Sequence, residues 1–375
     1  MNKGNLQRLL NNYIDNFEMI NNKENNETYK WEIAQEFQSF NVDAEDFSEM
    51  LSQMCKLSGN LIDNSQQLPF YAMVEYSRRE PETVREMFRS LYADEYIDST
   101  KKQVAIDTFI MEAEKLRMKY FPDSRLYVND QRSVMMYLFL RYPNSNFGYK
   151  AKQAKSFADC IEFYEDWGPM TAFHLDVFER MCKCVLDEIK INEALLETHS
   201  SRFKSADRFL FPDDNLHILL FDIIFSSQTY DFYHGITFDP INAKSRKLYF
   251  ERVAKAKELS EKVDKAKADS DALDEAKEYI RSSIIEGMVI YHKAFGEGVI
   301  KKCDGLTVTV YFAKINDTKA LNLAVVIGNG LGTFPSSEIT ERIKGYAPIL
   351  NREYQIPAAL SSAVDELQPY LEYLD

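Results

Sequence analysis

Asp213, Asp214 and His217 stand at i, i+1 and i+4. On a helix, Asp213 and His217 share a face, a spacing that suits a divalent metal. The same aspartates also sit where a helix N-terminus favours negative charge, and His217 then falls inside an apolar run. Two or three ligands without a partner cluster make a poor metal site, so the reading is a cap followed by a core histidine. Cys182 and Cys184 form a lone C-x-C pair. On a helix the two thiols diverge, and they read as small core side chains. Val325-Val326-Ile327-Gly328-Asn329-Gly330-Leu331-Gly332 carries an apolar segment into glycines. A dinucleotide fingerprint needs G-x-G-x-x-G at the mouth of a helix within a βαβ unit. Here the third glycine comes one residue early, Thr333 takes its place, and Phe334-Pro335 precede any helix. These glycines read as shaping a loop. No G-x-S-x-G, H-E-x-x-H or Walker sequence occurs, and His174, His199 and His234 have no nucleophile beside them. No catalytic residue, metal or cofactor is expected.

The segment RYPNSNFGYKAKQAKSF, residues 141–157, is the most informative polar stretch. Arg141, Lys150, Lys152 and Lys155 occur there without an acid, interleaved with Tyr142, Phe147, Tyr149 and Phe157. Base stacking combined with phosphate contact needs that mixture. The plainer reading docks the rings in a core and leaves the lysines in water, since aromatics of helical proteins mostly pack. Arg141, Tyr149, Lys150, Lys152 and Lys155 are therefore the candidates for an alternative, nucleic-acid-binding function.

Composition narrows the classes. The chain has 375 residues, of which 45% are hydrophobic, so a disordered or fibrous protein is excluded. Lys+Arg number 45 and Asp+Glu 59, a net charge of −14, which opposes nonspecific coating of DNA or RNA. Five cysteines spread over this length are no disulfide framework and suggest a reducing compartment. The start MNKGNLQRLL lacks the apolar core of a signal peptide. The longest apolar stretch, Leu216–Phe225, is far short of the about 20 residues that span a bilayer. A cytoplasmic location is the expectation.

The elements that must position these residues are mainly helical. Val84, Met87, Phe88 and Leu91 follow Glu80-Pro81-Glu82 with helical spacing. Ile106, Phe109, Ile110, Ala113, Leu116 and Tyr120 repeat that stripe until Pro122 stops it. Ser133–Arg141 reads as a buried helix, and another runs from Asp213-Asp214 through Phe225. Residues 246–286 carry ten Lys/Arg and ten Asp/Glu with no Gly or Pro, a charged helical connector. At Gly287 the period changes to two. Met288–Tyr291, a turn around Gly296-Glu297-Gly298, Val299-Ile300, the Asp304-Gly305 hairpin, Thr307–Phe312 and Leu321–Ile327 predict several short strands closing into a small barrel. Pro335-Ser336 open a helix, and the tail is helical. The expected layout is a helical domain over 1–245, the connector over 246–286, a barrel over 287–345 and a helical tail over 346–375.

Val289, His292, Phe295-Gly296-Glu297-Gly298-Val299 and the strand Val308–Phe312 resemble the Tudor-like (SH3-like) barrel at the C-terminus of UvrD-type helicases. The resemblance covers about 50 residues. It implies a noncatalytic module that docks proteins and sometimes nucleic acid. Tyr29-Lys30-Trp31, Tyr137–Pro143 and Phe147–Lys150 are similar to N-terminal segments of McrB-like restriction proteins and of an uncharacterised bacterial family. The motor itself is not carried over, because no Gly-Lys dipeptide, and hence no phosphate-cradling lysine, occurs.

Residues 287–334 hold five Lys against three Asp/Glu in an otherwise acidic chain. An exposed aromatic patch there would mark a partner site, with Tyr291, His292, Lys293 and Tyr311 as candidates. Phe295 and Phe312 are expected inside. The expectation is a noncatalytic adaptor that docks a protein partner through this module, in a nucleic-acid-processing or defence context that rests on resemblance. Direct nucleic-acid binding is the alternative, and a site assembled between helices the third class.

Overall fold

The computed structural model describes residues 1–63, 67–205 and 208–374. The chain divides into two compact units, Met1–Arg246 and Lys247–Asp375.

The first unit is built of helices whose ends follow local chemistry. Pro81 stands in the first turn of the helix Pro81–Leu91, where its missing N–H costs nothing. The Asp98 carboxylate accepts from the Lys101 N–H and starts the helix Ser99–Tyr120, which stops two residues before Pro122. Asp130 and Ser133 form a reciprocal capping box on Gln131–Arg141. The core is strongly aromatic: Trp31, Phe37, Phe70, Phe88, Tyr137 and Phe139 are all buried. The apolar run expected to be helical from Asp213 becomes the helix His217–Thr229. The Asp213 carboxylate accepts the N–H groups of Ile218 and Leu219 at 3.0 and 2.9 Å, so it caps that helix from outside.

The second unit contains the charged segment, the sheet and the tail together. The charged segment is one continuous helix, Ala243–Ser283, that begins just before the unit boundary. Its Leu273, Ala276 and Ile280 enter the same core as the sheet residues Ile290, Ile300, Val310 and Phe312 and the tail residues Ile343, Leu350 and Ile356. Strands β1 (Val289–His292), β2 (Gly296–Asp304), β3 (Thr307–Phe312), β4 (Asp317–Asn322) and β5 (Gly332–Thr333) form an antiparallel sheet in the order β4-β3-β2-β1-β5. The sheet is open, with β4 and β5 at its edges, where a closed cylinder was expected. On β3 burial alternates residue by residue, with Val308, Val310 and Phe312 inside.

Two local expectations are corrected. Leu321–Ile327 reads as a strand because it is rich in β-branched residues. Instead β4 ends at Asn322, whose side chain accepts from the Val325 N–H and opens the helix Leu323–Gly328. Leu323, Val326 and Ile327 are buried at helical spacing while Val325 faces solvent. The turn expected around Gly296–Gly298 lies instead at Lys293–Phe295, and both glycines belong to β2. Gly296 has φ of +80°, and a Cβ on Gly298 would lie 2.5 Å from the Phe312 ring. Among the described residues, no helix is long and apolar enough to cross a membrane.

Candidate functional site

In an antiparallel pair, residues directly opposite one another share a face. The register sets Val289 against Val299, Val299 against Tyr311, and Tyr311 against Thr318, one row across four strands. Tyr291 lies on the same face, between Glu297 of β2 and Thr333 of β5. The opposite face carries Ile290, Ile300, Val310 and Phe312 into the core, so the Tyr291 and Tyr311 face is the outward one. Tyr291 is 45% exposed. Tyr311 is half-buried; its hydroxyl donates to Asn316 Oδ1 at 2.9 Å, and the Lys301 ammonium stands 5.9 Å from its ring centre. Val289 and Val299 fill the ground between them and are only half-buried.

The other two predicted partner residues lie where β1 ends. His292 belongs to the inward side. Its ring stacks on Phe295 at 4.5 Å and meets the Phe312 ring at 6.2 Å. Its Nδ1 lies 3.2 Å from the Ala294 N–H and accepts from it. Lys293 is exposed in the turn, with its backbone N–H donating to the Leu331 carbonyl. The structure thus sets Tyr291 and Tyr311 on one face with Glu297 and Val299 of β2 between them, leaves Lys293 exposed in the turn that follows β1, and turns His292 away from that face. Phe312 is fully buried, and Phe295 half-buried against it.

The segment over 141–157 leaves Lys152 and Lys155 at the surface, draws Arg141 and Lys150 partly inside, and buries Phe147, Tyr149 and Phe157. Tyr149 is 1% exposed, wedged among Phe173 and Phe178, with Trp167 Nε1 donating to its hydroxyl at 3.2 Å. Phe147 and Phe157 are buried too. Lys150 donates to the Leu61 carbonyl, and burial lowers its ammonium to about 8. Arg141 donates to the Gln38 carbonyl at 3.3 Å, and Lys155 pairs with Asp159 and donates to the Ile241 carbonyl. Lys152 is exposed. A base could reach two lysines here but no free aromatic face.

The metal-spaced residues are committed elsewhere. Both Asp213 oxygens are taken by N–H donors, and Trp31 Nε1 adds a third contact at 3.2 Å. His217 stacks on Phe147 at 4.2 Å, with its Nδ1 2.9 Å from the Asn146 carbonyl. Among the described residues, no three His, Cys, Asp or Glu side chains converge as a metal-holding group. Cys182 is buried and Cys184 exposed, so they do not converge. Gly328, Gly330 and Gly332 serve packing and a turn: a Cβ on Gly328 would lie 2.6 Å from Ala347, Gly330 has φ of +65°, and a Cβ on Gly332 would lie 2.7 Å from Val326.

Two polar constellations escaped the sequence reading. The first is a fully buried ion cluster. Lys30 pairs with Asp222 and, at 2.6 Å, with Glu27, while Arg202 reaches Asp222 at 3.4 Å and the Tyr13 hydroxyl at 2.9 Å. The Arg202 guanidinium lies 3.6 Å from the Trp31 ring centre. His199 Nε2 stands 3.8 Å from Asp213. Burial holds the Asp213 carboxyl up at about 7 against its N–H donors and Arg202. Burial, helped by Arg202, pushes the His199 imidazole down to about 3. The signal was present: Lys30 occupies the buried stripe that continues through Ile33, Ala34 and Phe37, and Asp222 interrupts an apolar run. The second is a polar groove of about 440 Å³ with Lys102, Lys183, Lys190, Glu95, Asp98 and Glu179 along its walls. Glu179 holds Lys102 at 3.1 Å and accepts from Ser99, so the groove's deepest charges neutralise each other. Its residues come from four separate stretches of chain, and nothing local announces them.

Compared with protein-family models, with curated proteins and with solved structures, the chain matches none. The functional reading therefore rests on the geometry above.

Proposed function

We propose that this chain is a noncatalytic adaptor whose C-terminal sheet docks a protein partner across its outward face. One observation carries the reading. Tyr291, Tyr311, Val289 and Val299 lie together on one face of a sheet whose other face is a full core. A face of that kind offers large, stiff, amphipathic side chains that lose little entropy on binding. The surrounding charge favours an acidic segment of the partner, since residues 287–334 hold five Lys against three acids. The resemblance to the Tudor-like module of UvrD-type helicases supports the same kind of use and supplies the nucleic-acid-processing or defence context as an analogy.

The test is affinity capture from native lysate with the full chain and with Tyr291→Glu/Tyr311→Glu, compared quantitatively over a salt series. The docking reading expects specific partners to be lost with the double substitution. It also expects recovery to fall less than about tenfold between 50 and 200 mM salt, since apolar contact is unscreened. A phosphate-tracking interface using the four cations of residues 141–157 would lose about 100-fold over that range. Recovery of the same partners by both proteins would reject the reading.

A further inference from the structure

We propose that the groove between the helices Pro81–Leu91 and Ser99–Tyr120 is a second docking surface, fitted to a basic amphipathic helix of two to three turns from a partner protein. The groove encloses about 420 Å³. Its floor is Met87, Leu91, Ala105 and Phe109. On one wall the lining residues run from Thr83 to Leu91 and on the other from Ala105 to Glu112, each about two turns or 12 Å of helix. Two helical walls over an apolar floor are the shape into which a helix packs.

The apolar ground extends past the groove. Val104 is 61% exposed and Met111 50% exposed, and both stand on Ser99–Tyr120, one helical turn to either side of Thr108 on the rim. This helix already buries Ile106, Phe109, Ala113 and Leu116 on its inner side. Its second apolar stripe of Val104, Met111 and Met118, at seven-residue spacing, has no cover among the described residues. Monomeric proteins seldom leave a groove and an adjoining stripe of this kind open. Methionines suit such a surface because they reshape to the incoming side chains.

Charge selects the occupant. The only charged residues lining the groove are Glu86 and Glu112, one on each wall. Each is paired three residues on, with Arg89 and Lys115, in solvent-exposed ion pairs. Such pairs contribute little and exchange readily for an incoming cation. The first unit as a whole has 28 Lys+Arg against 39 Asp+Glu, a net −11 over residues 1–246. Its field speeds the approach of a basic partner and opposes an acidic one. A helix with one apolar stripe flanked by Lys or Arg satisfies floor, walls and field together. This surface lies on the first unit and the C-terminal sheet on the second.

The probe is a stapled, fluorescein-labelled helical peptide of about 14 residues with leucines on one i, i+3, i+4, i+7 stripe and lysines elsewhere. Fluorescence anisotropy with the full chain should show saturable binding. The same peptide with glutamates for lysines should bind at least about tenfold more weakly. Glu86→Lys/Glu112→Lys, which changes only solvent-facing side chains, should weaken the lysine peptide by at least about tenfold, and Ala105→Arg should abolish binding by filling the floor. Tyr291→Glu/Tyr311→Glu should leave it unchanged, which separates this surface from the sheet. Absence of binding, equal binding of both peptides, or indifference to the Glu86/Glu112 reversal would overturn the proposal. So would sedimentation showing a dimer that Ala105→Arg dissolves, since a second copy would then be the occupant.

Discussion

Asp213 and His199 face each other across 3.8 Å in the first unit and are displaced in opposite directions. In the fold the proton between them belongs to the Asp213 carboxyl; in the unfolded chain it belongs to the imidazole. Between about pH 4 and 6.5, folded and unfolded states therefore bind the same number of protons at this pair, and its contribution to stability is flat. Each partner alone has a slope. Asp213→Asn leaves a histidine with a depressed pKa, so relative to wild type stability falls as pH drops from 6.5 toward 3. His199→Gln leaves a carboxyl with a raised pKa, so relative to wild type stability rises as pH drops from 7 toward 4. The slopes approach about 1.4 kcal/mol per pH unit at most. Urea unfolding followed by tryptophan fluorescence at a series of pH values reads both, because Trp31 and Trp167 are the only two tryptophans and both lie in the first unit. Parallel pH profiles for the three proteins would contradict this account.

The ion cluster gives a second residue-scale expectation. Lys30→Met leaves Glu27 buried without a cation and Asp222 with Arg202 as its cation, and should cost about 3–5 kcal/mol. Lys30→Met combined with Asp222→Leu removes both members of one buried ion pair and should cost less than the sum of the two single substitutions. The same urea titration reads the difference; strict additivity would count against coupling. Residue-scale chemistry was only half legible in the sequence. The capping role of Asp213 and the core setting of His217 follow from a short helical pattern. Tyr149 was not legible, because an interleaved ring and a buried ring have the same local sequence. Of the two acidic partners of Lys30, Glu27 is only three residues away, but Asp222 lies 192 residues on, beyond any local pattern.

At the scale of elements, helices were legible because stop signals and stripes agree. Pro81 and Pro122 mark ends that the structure uses. The sheet was legible where period two is strict, as in Thr307–Phe312, and where Gly305 turns the β2–β3 hairpin with φ of +60°. Leu321–Ile327 was misread because β-branched content outweighed its helical spacing; the cap at Asn322 decides it. The glycines of β2 yield a prediction of their own. Gly298→Ala drives a methyl into Phe312 and Val310 at 2.5 and 2.6 Å and should destabilise the second unit by about 1–3 kcal/mol. Gly305→Ala meets no atom within 4 Å and should cost only the left-handed penalty of about 1 kcal/mol. Thermal melts followed by far-ultraviolet circular dichroism separate the two; equal melts would show that the close approach at Gly298 carries no energy.

At the scale of the whole molecule, the change of period at Gly287 was legible, but the grouping was not. The charged helix reads as a connector because most of its surface is ionic, yet Leu273, Ala276 and Ile280 are enough to bind its second half into the sheet's core. The helix buries five of its 41 residues, Ala256, Leu259, Leu273, Ala276 and Ile280, a stripe too sparse to stand out in so charged a segment. The outward sheet face is the molecule's central functional feature on this account. A photo-reactive benzoylphenylalanine at position 291 of the full chain tests it most directly, with the same residue at position 96 as control, since Tyr96 is 82% exposed and lies in the other unit. Irradiation in native lysate should give a discrete adduct from position 291 that Tyr311→Glu removes and that position 96 does not give. No adduct at 291, or the same adducts from both positions whatever stands at 311, would contradict a docking face on the C-terminal sheet.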